Sequence, residues 1–275
     1  MNISKIERIK LQSLDNLELF STYNSNQDFP LHYHETFCIS SIEKGAFIEN
    51  DKIALQNSLL ISNPLEIHKN SAFQNLDYSI KTLYISKDIF KFALGKNKVN
   101  DDFLLQNLIT DTFLFNKFNQ LSNQIVAYKK NDFGDSFENQ FIGFIQEIGQ
   151  YESSKKNKTT ATNITQTPTW LNDTKQYLIA NLDQKISLEA LANQTKLDKF
   201  QFIRAFKKYV GLTPFQYILL SRISLAKQLL QEGNSITETA LDAGFYDQSN
   251  FANYFKNYVG VTPRNYQQSF NILQD

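Results

Sequence analysis

The sequence predicts an α+β chain of two domains, a small all-β barrel or sandwich with appended helices followed by an all-α tandem helix-turn-helix domain. Three observations predict it. Short apolar, aromatic-rich runs separated by turn signals fill the first 85 residues. Helical apolar periodicity replaces them from there on. Near the C-terminus, Phe206-Lys-Lys-Tyr-Val-Gly-Leu-Thr-Pro214 is answered by Phe255-Lys-Asn-Tyr-Val-Gly-Val-Thr-Pro263 at an offset of 49 residues. A unit repeated at that period is one supersecondary element used twice.

The β-rich segment comes first. Runs at 17–23, 32–42, 46–55, 58–61 and 78–85 read as strands, broken by Glu49-Asn50-Asp51 and Asn63-Pro64. Many short strands at this spacing suit a small barrel or sandwich. Two helices follow. Phe115, Phe118, Leu121, Ile125 and Tyr128 keep helical spacing, as do Phe137, Phe141, Phe144, Ile145 and Ile148. Their apolar stripes fit either packing against their own barrel or a homodimer interface over 113–151.

The stretch Glu152 to Pro168 holds one large aliphatic residue among Ser, Thr, Asn and Lys and reads as a linker spanning roughly 20–25 Å as a flexible coil. The expected organisation is therefore 1–152 (barrel about 1–85, helices about 86–152), a linker over 153–168, and a DNA-binding domain over 169–275.

That last domain is punctuated throughout by caps. Ser187, Asp198, Ser235, Asp247 and Thr262 occupy N-cap positions. Thr213-Pro-Phe-Gln216 and Ser235-Ile-Thr-Glu238 are capping boxes, and Gly211 and Gly260 sit where helices end. One helix, Pro214 to about Gln231, joins the two units. Within each unit one Phe pair faces inward, Phe202 with Phe206 and Phe251 with Phe255. Lys199, Phe200, Ile203, Arg204 and Lys207 of the first unit then face outward. So do Gln248, Ser249, Asn250, Asn253 and Lys256 of the second. Arg can pair bidentately with guanine, apolar groups meet thymine methyls, and amides pair with adenine.

Composition limits the alternatives. Net charge is zero. Residues 170–275 carry a balance of +2 and the rest −2, so bulk charge makes no case for nucleic acid. Cys38 is the single cysteine, which excludes an intrachain disulfide and a thiolate zinc cluster within the chain and fits a cytoplasmic protein. No apolar run approaches the ~18 residues of a membrane span, and Met1 to Lys10 has no signal-peptide core.

The order Ile186-Ser-Leu-Glu-Ala-Leu-Ala192, Phe202-Ile-Arg-Ala-Phe-Lys-Lys208, Ala240-Leu-Asp-Ala-Gly-Phe245, Asp247-Gln-Ser-Asn-Phe-Ala-Asn-Tyr-Phe-Lys256 and Gly260-Val-Thr-Pro-Arg-Asn-Tyr266 resembles the tandem helix-turn-helix domain of the AraC/XylS transcription regulators over about 100 residues. The resemblance implies promoter-DNA contacts from the outward positions just named, and RNA polymerase as a partner if the protein activates. Asn253 and Gln267 depart from the basic residues usual in that family. The second reading helix is therefore expected to rely on amides or DNA shape.

His32-Tyr-His-Glu-Thr-Phe37, Gly45 and Asn63-Pro-Leu-Glu-Ile-His68 resemble the cupin-like sensor barrel of the same regulators. A small-molecule effector pocket is expected from Tyr23, His32, His34, Phe37, Phe47, His68 and Tyr84, with His32 and His34 on one face of a single strand. No metal and no cofactor is expected, because a carboxylate ligand is doubtful: Glu35 follows the histidine pair at once and Glu43 is distant. A metal-dependent cupin enzyme fused to a DNA-binding domain is the alternative. An alkyl-acceptor repair protein needs more than one cysteine. No catalytic triad, phosphate loop or carboxylate pair stands out.

Overall fold

A computed structural model describes residues 3–9, 17–95, 99, 103–127, 134–155, 168–184 and 186–271. Most of the expected linker, and Tyr128, lie outside the described residues. The chain divides into two compact units, Met1–Thr159 with Gln268–Asp275, and Thr160–Gln267.

The first unit is built on two antiparallel sheets. Its strands are β1 (Ile3–Ile9), β2 (Leu17–Ser25), β3 (Phe29–His32), β4 (Phe37–Lys44), β5 (Ala46–Glu49), β6 (Lys52–Leu55), β7 (Leu59–Ser62), β8 (His68–Ala72), β9 (Tyr78–Ile85) and β10 (Leu108–Ile109). The larger sheet runs β1-β2-β9-β4-β7-β10 and the smaller β3-β8-β5-β6. Among the described residues the sheets do not join into a closed cylinder, so the barrel is an open one. The expected strand 46–55 is a hairpin, with the Glu49-Asn50-Asp51 turn at its tip and Asn50 at φ +53°. The expected strand 32–42 is broken after His32, which leaves His34 in the connection to β4.

Period-two alternation sorts the larger sheet into two faces. Leu17, Leu19, Phe37, Ile39, Leu59, Ile61, Leu83 and Ile85 form one apolar core with helices α1 (Lys87–Leu94), α2 (Thr112–Ala127) and α3 (Gly134–Lys155). Both helical stripes are spent here: Phe115, Phe118, Leu121, Ile125, Phe137, Phe141, Phe144, Ile145 and Ile148 are all buried in it. They pack on their own sheet. Polar ties set the position of α2: Ser41 donates to Asn119 at 2.9 Å, and Lys81 reaches Asn123 at 2.8 Å and Glu43 at 2.5 Å. The opposite face of the sheet looks toward the smaller sheet and is much more polar, with Ser40 bonded to Thr82 at 2.7 Å and Ser62 to Glu49 at 2.5 Å.

The second unit is helical. It contains α4 (Thr169–Ala180), α5 (Leu188–Gln194), α6 (Lys199–Val210), α7 (Pro214–Gln231), α8 (Ile236–Asp242), α9 (Gln248–Val259) and the start of α10 (Pro263–Asn271). The sequence repeat is a geometric repeat. Asp198 and Asp247 cap α6 and α9 through the third backbone N–H, and Gly211 and Gly260 end them at φ +82° and +87°. Ser187 and Ser235 cap α5 and α8. Phe202 packs tilted against Phe206 at 5.9 Å and Phe251 edge-on against Phe255 at 5.3 Å, all four fully buried. Tyr217 and Tyr266 close the two clusters at 5.7 and 5.2 Å. With Pro214 at its first turn, α7 spans 18 residues, about 27 Å at 1.5 Å per residue.

Candidate nucleic-acid interface and histidine cluster

Each helix-turn-helix unit buries its Phe pair and turns the opposite face of α6 or α9 outward. On α6, Phe200, Arg204 and Lys207 are exposed, Phe200 to 69%. An exposed Phe beside an Arg is not a core residue. Ile203 is half-buried and packs partly on the core of its own unit. Lys199 is tied to Glu189 of α5 at 2.5 Å, so part of its charge is already paired. That contact holds the Glu189 carboxyl below the usual carboxylate range.

On α9, Gln248, Ser249, Asn253 and Lys256 are exposed and Asn250 is half-buried. The Gln248 amide oxygen accepts from Thr237 of α8 at 3.0 Å, which orients the amide. Gln267 donates to the Asn234 carbonyl at 2.7 Å. This departure from the family pattern thus serves the turn after α7.

Sequence reasoning missed how the two units are joined. Arg222 of α7 donates from Nε to the Leu182 carbonyl at 2.9 Å and from Nη2 to that of Gln184 at 3.1 Å. Burial holds its guanidinium below the ordinary arginine value. Gly244, at φ +81°, lies so close that an added Cβ would fall 1.9 Å from the Leu182 oxygen and 2.9 Å from Arg222 Nε. The Ala-Gly-Phe string was the available signal: a glycine there marks a close backbone approach.

In the first unit the seven expected pocket residues separate. Phe37 lies in the helix-facing core, 4.3 Å from Phe90, and Tyr23 falls on that same face of β2 by alternation. Phe47 packs on Tyr78 at 4.6 Å, by the end of β8 away from the histidines. Tyr23 and Phe37 leave the pocket because the register of their strands fixes the face they occupy, and Phe47 because it pairs with Ala72, at the end of β8 far from His68. His32, His34, His68 and Tyr84 do come together. The imidazole centroids are 4.4 to 5.3 Å apart and Tyr84 is 5.1 Å from His34.

The strand pairing accounts for this. His32 and His68 are register partners at the β3–β8 edge. His34 is held by the turn at 63–66, whose Leu65 N–H donates to the His34 carbonyl at 2.7 Å. That turn is fixed in its own right: Asn63 donates to Glu66 and Leu105 N–H donates to Asn63 Oδ1 at 2.7 Å. His32 and His68 each direct Nδ1 to a backbone carbonyl, Pro30 at 2.6 Å and Glu66 at 2.7 Å. Burial, with His68 alongside, lowers the His32 pKa to about 3, so this imidazole is neutral at any physiological pH. Neither carboxylate weighed from the sequence is the neighbouring one. Glu35 is exposed and Glu43 pairs with Lys81. The neighbour is the buried Glu49, 3.9 Å from His68.

The fold and the outward helix faces define a class, a DNA-binding transcriptional regulator with two helix-turn-helix units. Residues 191–269 match a helix-turn-helix domain family. The chain is 25% identical over 82% of both chains to an uncharacterized helix-turn-helix-type transcriptional regulator, YbfI, of Bacillus subtilis. It is 24% identical, again over 82% of both, to the transcriptional activator RhaS of Shigella sonnei. The structure of an apo ToxT variant from Vibrio cholerae shares the fold with a TM-score of 0.52 at 14% identity, covering 98% of this chain and 97% of that one. The chain thus shares a helix-turn-helix domain family over 191–269 and is similar over most of its length to regulators of transcription. No helix among the described residues is long and apolar enough to cross a membrane.

Proposed function

We propose that this regulator binds promoter DNA by laying α6 and α9 in successive major grooves and that a small molecule held between the sheets of the first unit controls it. The observation that carries the DNA reading is the duplicated geometry. Two helices with the same caps and the same buried Phe pair flank one rigid helix about 27 Å long. Dimers of single helix-turn-helix units place two reading helices about 34 Å apart to match one turn of DNA. A single chain with two units meets the same requirement.

Arg204, Phe200 and Ile203 read bases from α6, while Lys207 and Lys199 contact phosphate, Lys199 only by exchanging Glu189 for the backbone. Gln248, Ser249, Asn250 and Asn253 read from α9 through neutral groups, with Lys256 on phosphate. Affinity rests on the first unit and register on the second.

The effector reading is supported by where polarity is buried. His32, His68, Glu49, Asn70, Ser62 and Ser40 are all shielded from solvent. A fold sustained only by its core has no need of so many buried polar groups, whereas a site for a small ligand uses them as anchors. A homodimer would use the outward faces of α2 and α3, where Phe113 is exposed, because their inner stripes are occupied. The regulator acts in the cytoplasm, without catalytic turnover, and contacts RNA polymerase if it activates.

Selection of bound duplexes from a random DNA pool by the full chain tests this. The expected product is a bipartite motif whose halves are centred about 10–10.5 base pairs apart. A single compact element without a second half would refute it.

A further inference from the structure

The three histidines supply more than polar anchors. One ring nitrogen from each of His32, His34 and His68 lies within 4.8 Å of the other two, and the Nε2 atoms of His32 and His34 are 3.1 Å apart. Two imidazole ligands on a tetrahedral zinc ion, each at 2.0–2.1 Å, are separated by about 3.3 Å. The His32–His34 spacing is that of two donor atoms on one cation, and the His68 nitrogen lies within 4.8 Å of both.

The orientation of the rings points the same way. The Nδ1 atoms of His32 and His68 are engaged by the carbonyls of Pro30 and Glu66, which can only accept. Each Nδ1 therefore carries a proton, and in the neutral ring Nε2 is the atom left to ligate a metal. Anchoring the remote ring N–H on a backbone carbonyl is how metal-binding histidines are held in tautomer and orientation. Glu49 Oε2 lies 3.9 Å from His68 Nε2 and is held by Ser62 at 2.5 Å and Asn70 at 3.2 Å, so a buried carboxylate stands beside the rings and would offset the charge of a cation among them. Since His34 is half-buried while His32 and His68 are buried, His34 gives the route by which an ion would enter.

We infer that His32, His34 and His68 form a binding site for one divalent transition-metal ion of the zinc or iron class, with Glu49 as the adjacent counter-charge. Three imidazole nitrogens and a carboxylate select such ions over magnesium or calcium, which favour all-oxygen shells. The site goes beyond the DNA reading and does not depend on it. It replaces the expectation of metal-free histidines, which rested on Glu35 and Glu43 being poorly placed; Glu49 comes to the cluster through the β5–β8 pairing, with Asn70 as its register partner.

The test uses the full chain, stripped with chelator and titrated with Zn²⁺ by calorimetry and with Co²⁺ by visible absorption. One ion per chain is expected, with Co²⁺ bands characteristic of nitrogen-rich low-coordinate geometry. His34→Ala, which removes the least buried ligand, should weaken Zn²⁺ binding by at least about 100-fold, and Glu49→Gln by about 10–100-fold. Cys38→Ser should leave affinity unchanged. Circular dichroism checks that each variant remains folded. Less than about one-fifth of an ion per chain at saturating Zn²⁺, or His34→Ala binding as tightly as the parent, overturns the proposal. A thiolate charge-transfer band with Co²⁺ that is lost in Cys38→Ser overturns it as well.

Discussion

Gly244→Ala isolates the contact that joins the two helix-turn-helix units. Two separate costs arise there. The first is backbone strain: at φ +81° an L-residue pays about 1–2 kcal/mol. The second is displacement. The new Cβ would lie 1.9 Å from the Leu182 carbonyl oxygen and 2.9 Å from Arg222 Nε, so that carbonyl must move and its 2.9 Å bond from Arg222 is lost. A hydrogen bond from a charged donor contributes about 1.5–3 kcal/mol. Together the substitution costs about 2.5–5 kcal/mol, against a total of roughly 5–15 kcal/mol for a typical domain. Gly233→Ala is the matched control. Its φ is +92° with nothing within 4 Å of the added Cβ, so it carries the strain without the clash. Trp170, the single tryptophan, packs on Phe202 at 5.8 Å and reports this unit alone. Urea unfolding followed by its fluorescence should show Gly244→Ala destabilised by about 1.5–3 kcal/mol more than Gly233→Ala, the worth of the lost bond. Equal midpoints for the two variants would refute the reasoning.

Arg204→Ala should cost roughly 1–3 kcal/mol of DNA affinity and relax preference at one base pair. Lys207→Ala should weaken all sequences alike and lower the salt slope by about one, measurable by fluorescence anisotropy at several salt concentrations. Lys199→Ala should cost less affinity than Lys207→Ala, because Lys199 leaves a partner in Glu189 to reach phosphate. Phe118→Ala empties a fully buried site on α2, beside Phe144 of α3, and should destabilise the first unit by about 3–5 kcal/mol in thermal unfolding, while α6 and α9 keep their caps.

The helical unit was legible because its signals are local. A cap, a Pro at the first turn, a Phe pair four apart and a closing Gly each lie within one helix, and α7 runs from Pro214 to Gln231 as its sequence indicates. The β-rich unit was legible only in part. The strand His68–Ala72 escaped notice because its buried positions are His68, Asn70 and Ala72, polar or small rather than apolar. The faces of Tyr23 and Phe37 depend on a register that no local pattern reveals. Glu49 reads as the first residue of a turn, yet alternation with Phe47 turns it inward. Its role follows only once β5 is paired with β8. The histidine cluster itself joins segments more than 30 residues apart, which sequence proximity cannot show.

The central claim, that one chain reads two successive major grooves, is tested most directly by hydroxyl-radical footprinting of the full chain on a selected duplex. The account predicts two protected patches on one face of the helix, about one turn apart. Replacing Gln248 and Asn253 of α9 together should erase only one patch, because the first unit carries the affinity. A single protected patch from the full chain, or two that disappear together when α9 alone is altered, contradicts it.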